Sequence, residues 1–158
     1  VLAGYLRNGF LHRTIREQGG AYGGGASQDS DSGSFRFFSY RDPRLSETLD
    51  DFDASLDWLL KSNHGEHQLE EAILGAIATL DRPSSPAGGA RQAFYNHLFG
   101  HSLQHRTSSR KRVLSTSLED LRNVTERYFE PARASIGVIT NTETAKKLKI
   151  EAVAITNI

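Results

Sequence analysis

The sequence predicts an α+β fold, an antiparallel-type sheet with helices packed on one face. Three observations carry that expectation. Phe35-Arg36-Phe37-Phe38-Ser39-Tyr40 has strand composition and follows the turn chemistry of Gln28 to Gly33, which makes a hairpin. Ile136-Gly137-Val138-Ile139 has the composition of a short buried strand near the other end of the chain. Between them, apolar residues recur at three- and four-residue steps, the period of helices that bury one face. Strands towards both ends with helices between give a layer of helices on one face of a thin sheet.

Each element has its own local reason. Leu2, Leu6 and Phe10, with Tyr5 beside them, give an opening helix one apolar face, and Gly19 and Gly20 stop it. Ala21 to Ala26 is small residues around Tyr22 and forms a Gly-rich first arm of the hairpin. Asp42-Pro43 reads as an N-cap followed by proline at N1, where the missing N–H costs nothing. The helix it opens, over 43–60, turns Leu45, Leu49, Phe52, Leu56, Leu59 and Leu60 inward and sets Glu47, Asp50, Asp51, Asp53 and Asp57 between them. Asn63-His64-Gly65 breaks it, and Leu69, Ile73, Ile77 and Leu80 define the next helix, which stops before Pro83. The loop from Pro83 to Gly89 leads into a helix carrying Ala93, Phe94, Leu98 and Phe99 and ending at Gly100. A polar, basic helix follows from Leu103 to Leu114. Ser117 and Asp120 form a capping box ahead of Leu121, Val124 and Tyr128, and Pro131 closes that helix. Asn141 caps a turn or two through Lys147, and Ile150 to Ile155 offers a last strand.

With 158 residues the chain is about one domain, and 19 Lys+Arg against 19 Asp+Glu leave no net charge. Binding to nucleic acid or to an acidic membrane needs a surplus of basic residues to displace counterions, so neither is expected. No apolar run approaches the roughly 20 residues that cross a bilayer, so the segment is expected to be soluble, its compartment left open. The absence of cysteine excludes disulfides, Cys-zinc knuckles and thiol catalysis. The chain lacks methionine and opens on an apolar pattern at Val1, so it reads as a piece of a longer protein.

Gly19-Gly20-Ala21-Tyr22-Gly23-Gly24-Gly25 is the densest candidate for function. It has no Gly-Lys-Ser/Thr ending and no G-x-G-x-x-G spacing, and it precedes a strand, so a phosphate cradle is disfavoured. Two readings remain: a bulged hairpin arm, or a surface bare of side chains on which a peptide backbone lies, with Tyr22 reaching out. Metal chemistry fails on spacing. Neither H-E-x-x-H nor H-x-x-E-H occurs, and His97, His101 and His105 are interrupted by Gly100, which leaves them as solvated histidines. No metal ligand is assigned. Arg106, Arg110, Lys111 and Arg112 read as a solvated helix face with no interleaved aromatic to stack a base. No nucleophile elbow supports a Ser-His-Asp arrangement.

The stretch from Tyr5-Leu6-Arg7-Asn8-Gly9-Phe10 through Arg16-Glu17-Gln18-Gly19-Gly20-Ala21-Tyr22-Gly23-Gly24-Gly25-Ala26 closely resembles the late part of presequence-protease-like zinc metallopeptidases, in the superfamily of pitrilysin and insulin-degrading enzyme. The resemblance continues through Gly33-Ser34-Phe35-Arg36-Phe37, Ser39-Tyr40-Arg41-Asp42-Pro43-Arg44-Leu45, Leu69-Glu70-Glu71-Ala72-Ile73, Ser85-Pro86-Ala87-Gly88, Val113-Leu114 and Leu118-Glu119-Asp120-Leu121, nearly the whole chain. It implies a clam-like protease in which four related α+β domains form two halves around a closed chamber, with zinc held by an inverted motif in the first domain. Residues 1–158 then correspond to most of the fourth, C-terminal substrate-binding domain, a LuxS/pitrilysin-like metallopeptidase domain lacking its opening strands. The partners implied are the N-terminal domains of the same parent chain and a peptide substrate.

In such relatives an Arg and a Tyr of the last domain reach across the chamber to the bound peptide, and here they map onto Arg16 and Tyr22. Gly19, Gly20, Gly23 and Gly24 would give the substrate room. A phenol can donate to the carbonyl oxygen on which charge builds, and a guanidinium keeps its charge while holding a carbonyl or carboxylate. On the residues alone, Arg16 also suits a helix C-terminus as a cation, and Tyr22 also suits a ring packed on the sheet. The chain contains neither the zinc ligands nor the base of such an enzyme, so alone it is expected to hydrolyse nothing. The competing reading is a non-catalytic structural or interaction domain, a role that pitrilysin-like folds play in respiratory complexes.

Overall fold

The structure, a computed structural model, describes residues 1–30, 32–130 and 134–145. It is α+β, with a two-stranded antiparallel sheet and helices among the described residues. The opening helix begins as α1 (Leu2–Leu6) and continues as a π-helical segment (Arg7–Gln18). Its buried apolar residues explain the widening. Leu2, Leu6, Leu11 and Ile15 succeed one another by four and five residues, a step longer than the 3.6 of an α-helix, so only a wider coil keeps all four on one line.

That line packs on the hairpin β1 (Gly23–Asp29) and β2 (Ser34–Tyr40), in which Ala26 pairs with Phe37 and Gln28 with Phe35. Because alternate residues face opposite sides, Phe35 and Phe37 share the helix-covered face. There Phe37 stacks on Phe52 at 5.2 Å and Phe35 meets Phe129 edge-on at 4.7 Å. The other face carries Arg36, Phe38 and Tyr40, all exposed. The expected single helical layer is therefore present, on one side of two strands.

Helix α2 (Ser46–Lys61) starts later than Asp42-Pro43 predicts. Asp42 instead accepts from Arg44 N–H at 2.9 Å and from the Thr48 hydroxyl at 2.7 Å, bridging into the helix from outside it. Leu56 and Leu59 are buried as expected, and Trp58 joins them by stacking on Tyr5 at 5.5 Å and covering Gly9. The end of α2 is closed by other elements: His64 Nε2 lies 3.1 and 3.0 Å from the Trp58 and Leu59 carbonyls, and Arg122 donates to the Ser62 carbonyl at 3.2 Å. The Trp58 carbonyl also accepts the Ser62 N–H at 3.0 Å, and the other contacts give the Leu59 and Ser62 carbonyls the partners that a helix end lacks.

Helix α3 (Glu66–Leu80) buries Ala72 with Leu69 packed beside it, while Leu80 is exposed. Helices α4 (Pro86–Leu98) and α5 (Leu103–Leu114) follow, capped by Ser85 and Ser102, and Gly100 between them has φ +69. Helix α6 (Leu118–Tyr128) has the expected capping box, Ser117 with Asp120, but Val124 and Tyr128 point outward. Leu121 is buried as expected and Thr125 is buried with it, the Thr125 hydroxyl donating to the Leu121 carbonyl at 2.9 Å. The helix ends at Tyr128, and Pro131 lies outside the described residues.

Ile136 to Ile139 is not a strand, contrary to the sequence expectation. A strand exists only through its ladder, and no neighbouring strand pairs with this segment among the described residues, leaving Ile139 91% exposed. Helix α7 (Thr142–Ala145) is capped by Asn141 Oδ1 accepting from Thr144 N–H at 2.8 Å. Its expected continuation to Lys147 and the strand expected over Ile150 to Ile155 lie outside the described residues.

Candidate functional site

The π-helical segment sets up the first half of the site. In a coil this wide, residues four and five apart both lie near one another along its surface, so His12 neighbours Arg16 and Glu17 together. Arg16 Nη1 is 3.3 Å from His12 Nε2, and His12 Nδ1 is 3.3 Å from Glu17 Oε1. One neutral tautomer satisfies both contacts, with the proton on Nδ1 donated to Glu17 and Nε2 accepting from Arg16. Arg16 is thus exposed yet oriented.

The turn that follows depends on glycine twice. Gly20 has φ +80, a left-handed helix cap, with its N–H donating to the Arg16 carbonyl at 3.0 Å and Ala21 N–H to the Ile15 carbonyl at 3.1 Å. At Gly19 any Cβ would collide with the Arg44 guanidinium and the Ile15 carbonyl. Arg44 is fixed in that position by the Thr14 carbonyl at 3.2 Å and by Asp51 at 2.9 Å. Gly24 faces the same way, where a Cβ would lie 2.7 Å from Ile15 Cγ2. Packing beneath explains Gly19 and Gly24, whereas Gly23 has open space around it.

Tyr22 leaves this turn with 68% of its surface exposed, and no hydrogen bond engages its hydroxyl among the described residues. Its ring meets Tyr40 edge-on at 6.0 Å. The Arg41 guanidinium carbon lies 5.7 Å from the centre of the Tyr22 ring and 5.3 Å from that of Tyr40. Tyr22 N–H donates to the Arg41 carbonyl at 3.3 Å. Beside this cluster, Gly23 pairs with Tyr40 and Gly25 with Phe38, so exposed rings on β2 stand opposite residues without side chains on β1. Arg16 and Tyr22 occupy the two ends of the glycine turn, and their side chains make no direct contact.

The other candidates from the sequence separate. His101 and His105 stack at 5.3 Å, but no group of three or more His, Cys, Asp or Glu residues comes together to hold a metal among the described residues. His64 serves the end of α2. Within the basic cluster Arg110 is not simply solvated, since it grips Asp81 at 3.0 Å from both Nε and Nη2. A cleft of about 440 Å³ runs between α2 and α6, lined by Asp50, Asp53, Asp57, Thr125, Glu126 and Phe129 among others, and includes none of the Arg16–Tyr22 site. Partial burial, with the charges of Asp50 and Asp57, raises the Asp53 pKa. The residues that sequence reasoning missed are His12, Arg41 and Arg44. The i to i+4 spacing of His12 and Arg16 was a signal for the first, but the partners of Arg41 and Arg44 depend on the fold.

A helix-backed hairpin presenting Arg and Tyr at a glycine turn defines the class of domain, and sequence comparison gives its family. The chain belongs to the PreP C-terminal domain family, whose model matches residues 1–142. It is 35% identical over 140 residues to the mitochondrial presequence protease of Kluyveromyces lactis, covering 88% of this chain and 14% of that protein. Against the mitochondrial presequence protease of Mus musculus the identity is 33% over 138 residues, covering 87% of this chain and 13% of that protein. Against presequence protease 1, chloroplastic/mitochondrial, of Arabidopsis thaliana it is 36% over 123 residues, covering 78% and 11%. The chain therefore spans about one seventh or less of the length of these relatives. No helix among the described residues is long and apolar enough to cross a membrane.

Proposed function

We propose that this chain is the C-terminal peptide-binding domain of a zinc-dependent endopeptidase of the pitrilysin superfamily, with a LuxS/pitrilysin-like fold and with the zinc held by the first domain of the parent chain. The observation that carries the reading is the Tyr22 hydroxyl, exposed and without a partner among the described residues, on a turn whose backbone is fixed by Gly19 and Gly20. Hydrolysis of a peptide builds negative charge on the carbonyl oxygen, and a donor waiting for it stabilises the transition state more than the ground state. Arg16, steadied by His12 and Glu17, holds a carbonyl or carboxylate of the peptide. The face with Gly23 opposite Tyr40 leaves an extended backbone space to approach, and Gly19, Gly20 and Gly24 keep the turn close beneath it. The described residues of this chain do not suit a zinc site, so no step of this reading passes through a metal on them, and the reading assigns hydrolysis to the parent chain and not to this segment alone.

Kinetics of the full-length protein test this. Tyr22→Phe keeps the ring and removes the one donor, so kcat should fall by about 10²–10³ with KM little changed. A kcat within a factor of about two of the parent overturns the catalytic role, because an exposed hydroxyl contributes little to packing.

A further inference from the structure

We propose that Arg41 is a positioning residue for Tyr22, clamping its ring by the guanidinium and its backbone by the carbonyl. The inference rests on the catalytic reading of Tyr22. An exposed phenol on a turn can adopt several rotamers, and only one of them meets a substrate oxygen, so catalysis needs something that selects it. Arg41 meets that need from two directions. Its guanidinium carbon is 5.7 Å from the Tyr22 ring and 5.3 Å from the Tyr40 ring, a cation shared by two π faces that themselves meet edge-on. Its carbonyl accepts the Tyr22 N–H at 3.3 Å, joining the start of one hairpin arm to the end of the other.

The backbone of Arg41 supplies an independent observation. At φ +49 it is the non-glycine residue held in the left-handed region among the described residues. Glycine would sit there without strain, and this segment is rich in glycine elsewhere. A strained conformation persists where the surroundings over-determine it, and such positions concentrate at functional sites. The strain is tolerated at the one residue whose side chain packs on both tyrosines.

The test is a kinetic cycle in the full-length protein with Tyr22→Phe, Arg41→Gln and the double variant, and with Arg41→Lys and Arg41→Gly beside them. Arg41→Gln should lower kcat by about tenfold and move KM by less than about twofold, the signature of misplacement and not of lost binding. In the Tyr22→Phe background the same change should add less than about twofold, since two residues acting through one hydroxyl are not additive. Arg41→Lys keeps a cation without the planar stack and should recover part of the loss. Arg41→Gly relieves the backbone and keeps the carbonyl, so it should melt no lower than the parent yet lose kcat as Arg41→Gln does. If Tyr22→Phe itself leaves kcat intact, the catalytic reading fails and this one with it. If Tyr22→Phe lowers kcat but Arg41→Gln or Arg41→Gly does not, or if the losses multiply in full, the positioning role alone is overturned.

Discussion

The glycine turn and the arm formed by α4 and α5 both consist of elements that the sequence marks clearly, yet they differ completely in what holds them. Behind the turn, Leu6, Leu11 and Ile15 are fully buried, and Arg44 packs against Gly19. In α4 and α5 no described residue is buried, and Phe94, Leu98 and Leu103 are each more than 60% exposed. The arm is joined to α3, where Arg110 grips Asp81 across the surface. Caps and periodicity make a helix; only a facing surface makes it part of a core. The proposed site, which would have to place a phenol and a guanidinium within a fraction of an ångström, needs the first kind of support, and that is where Tyr22 and Arg16 sit.

The largest expected effect is on the packed side. Leu11→Ala leaves a cavity where the π-helical segment meets the hairpin and should destabilise the chain by about 2–5 kcal/mol, read as a lower urea midpoint. A loss below about 1 kcal/mol would mean that the buried line of the helix contributes no more than a surface residue. A smaller effect is expected at Ser117→Ala, which removes the hydroxyl of the α6 capping box, at about 1 kcal/mol. This effect carries a pH signature. The Ser117 hydroxyl and then its N–H lower the Asp120 pKa, so that contribution is present above the ordinary Asp value of about 3.9 and is lost as pH falls through the depressed folded value. The melting-temperature gap between the parent and Ser117→Ala should narrow in acid, and a gap constant with pH would remove Asp120 from the box.

The same contrast governs what could be read in advance. The capping box at Ser117, the stop at Gly100 and the strand Phe35 to Tyr40 are local signals, and they are where the sequence puts them. Four- and five-residue steps in the opening helix are too close to an α-period for the π-coil to be legible without the hairpin it packs on. Asp42 carries N-cap chemistry, but Thr48 and Arg44 take its oxygens, so the helix starts at Ser46. Ile136 to Ile139 has strand composition and no ladder, which composition cannot report. At the site, family resemblance points to Arg16 and Tyr22 and the i to i+4 spacing marks His12, while Arg41 emerges only when the hairpin brings its partners together.

In the cleft of α2 and α6 the expected change is modest and opposite in sign. Asp53 has its pKa raised by partial burial and by Asp50 and Asp57. A raised folded carboxyl pKa means that the native state binds more protons, so stability falls as pH climbs from the unfolded value through the folded one. Asp53→Asn should therefore raise the melting temperature at neutral pH, with the gain fading as pH falls below about 3.9. A lower melting temperature at pH 7 would show that the carboxylate makes a favourable contact instead.

The smallest effect is expected on the arm. Phe94 sits on α4, a helix with no buried residue, with 63% of its surface exposed and its ring edge-on to Tyr95 at 5.8 Å. Removing a ring matters for stability in proportion to the apolar area that folding takes from water, and here most of that area stays wet. Alanine also has the higher helix propensity, which offsets part of the lost contact with Tyr95. Phe94→Ala should therefore change the unfolding free energy by no more than about 0.5 kcal/mol, against the several expected for Leu11→Ala on the same urea scale. A loss above about 2 kcal/mol would place Phe94 in a core and erase the distinction between the arm and the turn.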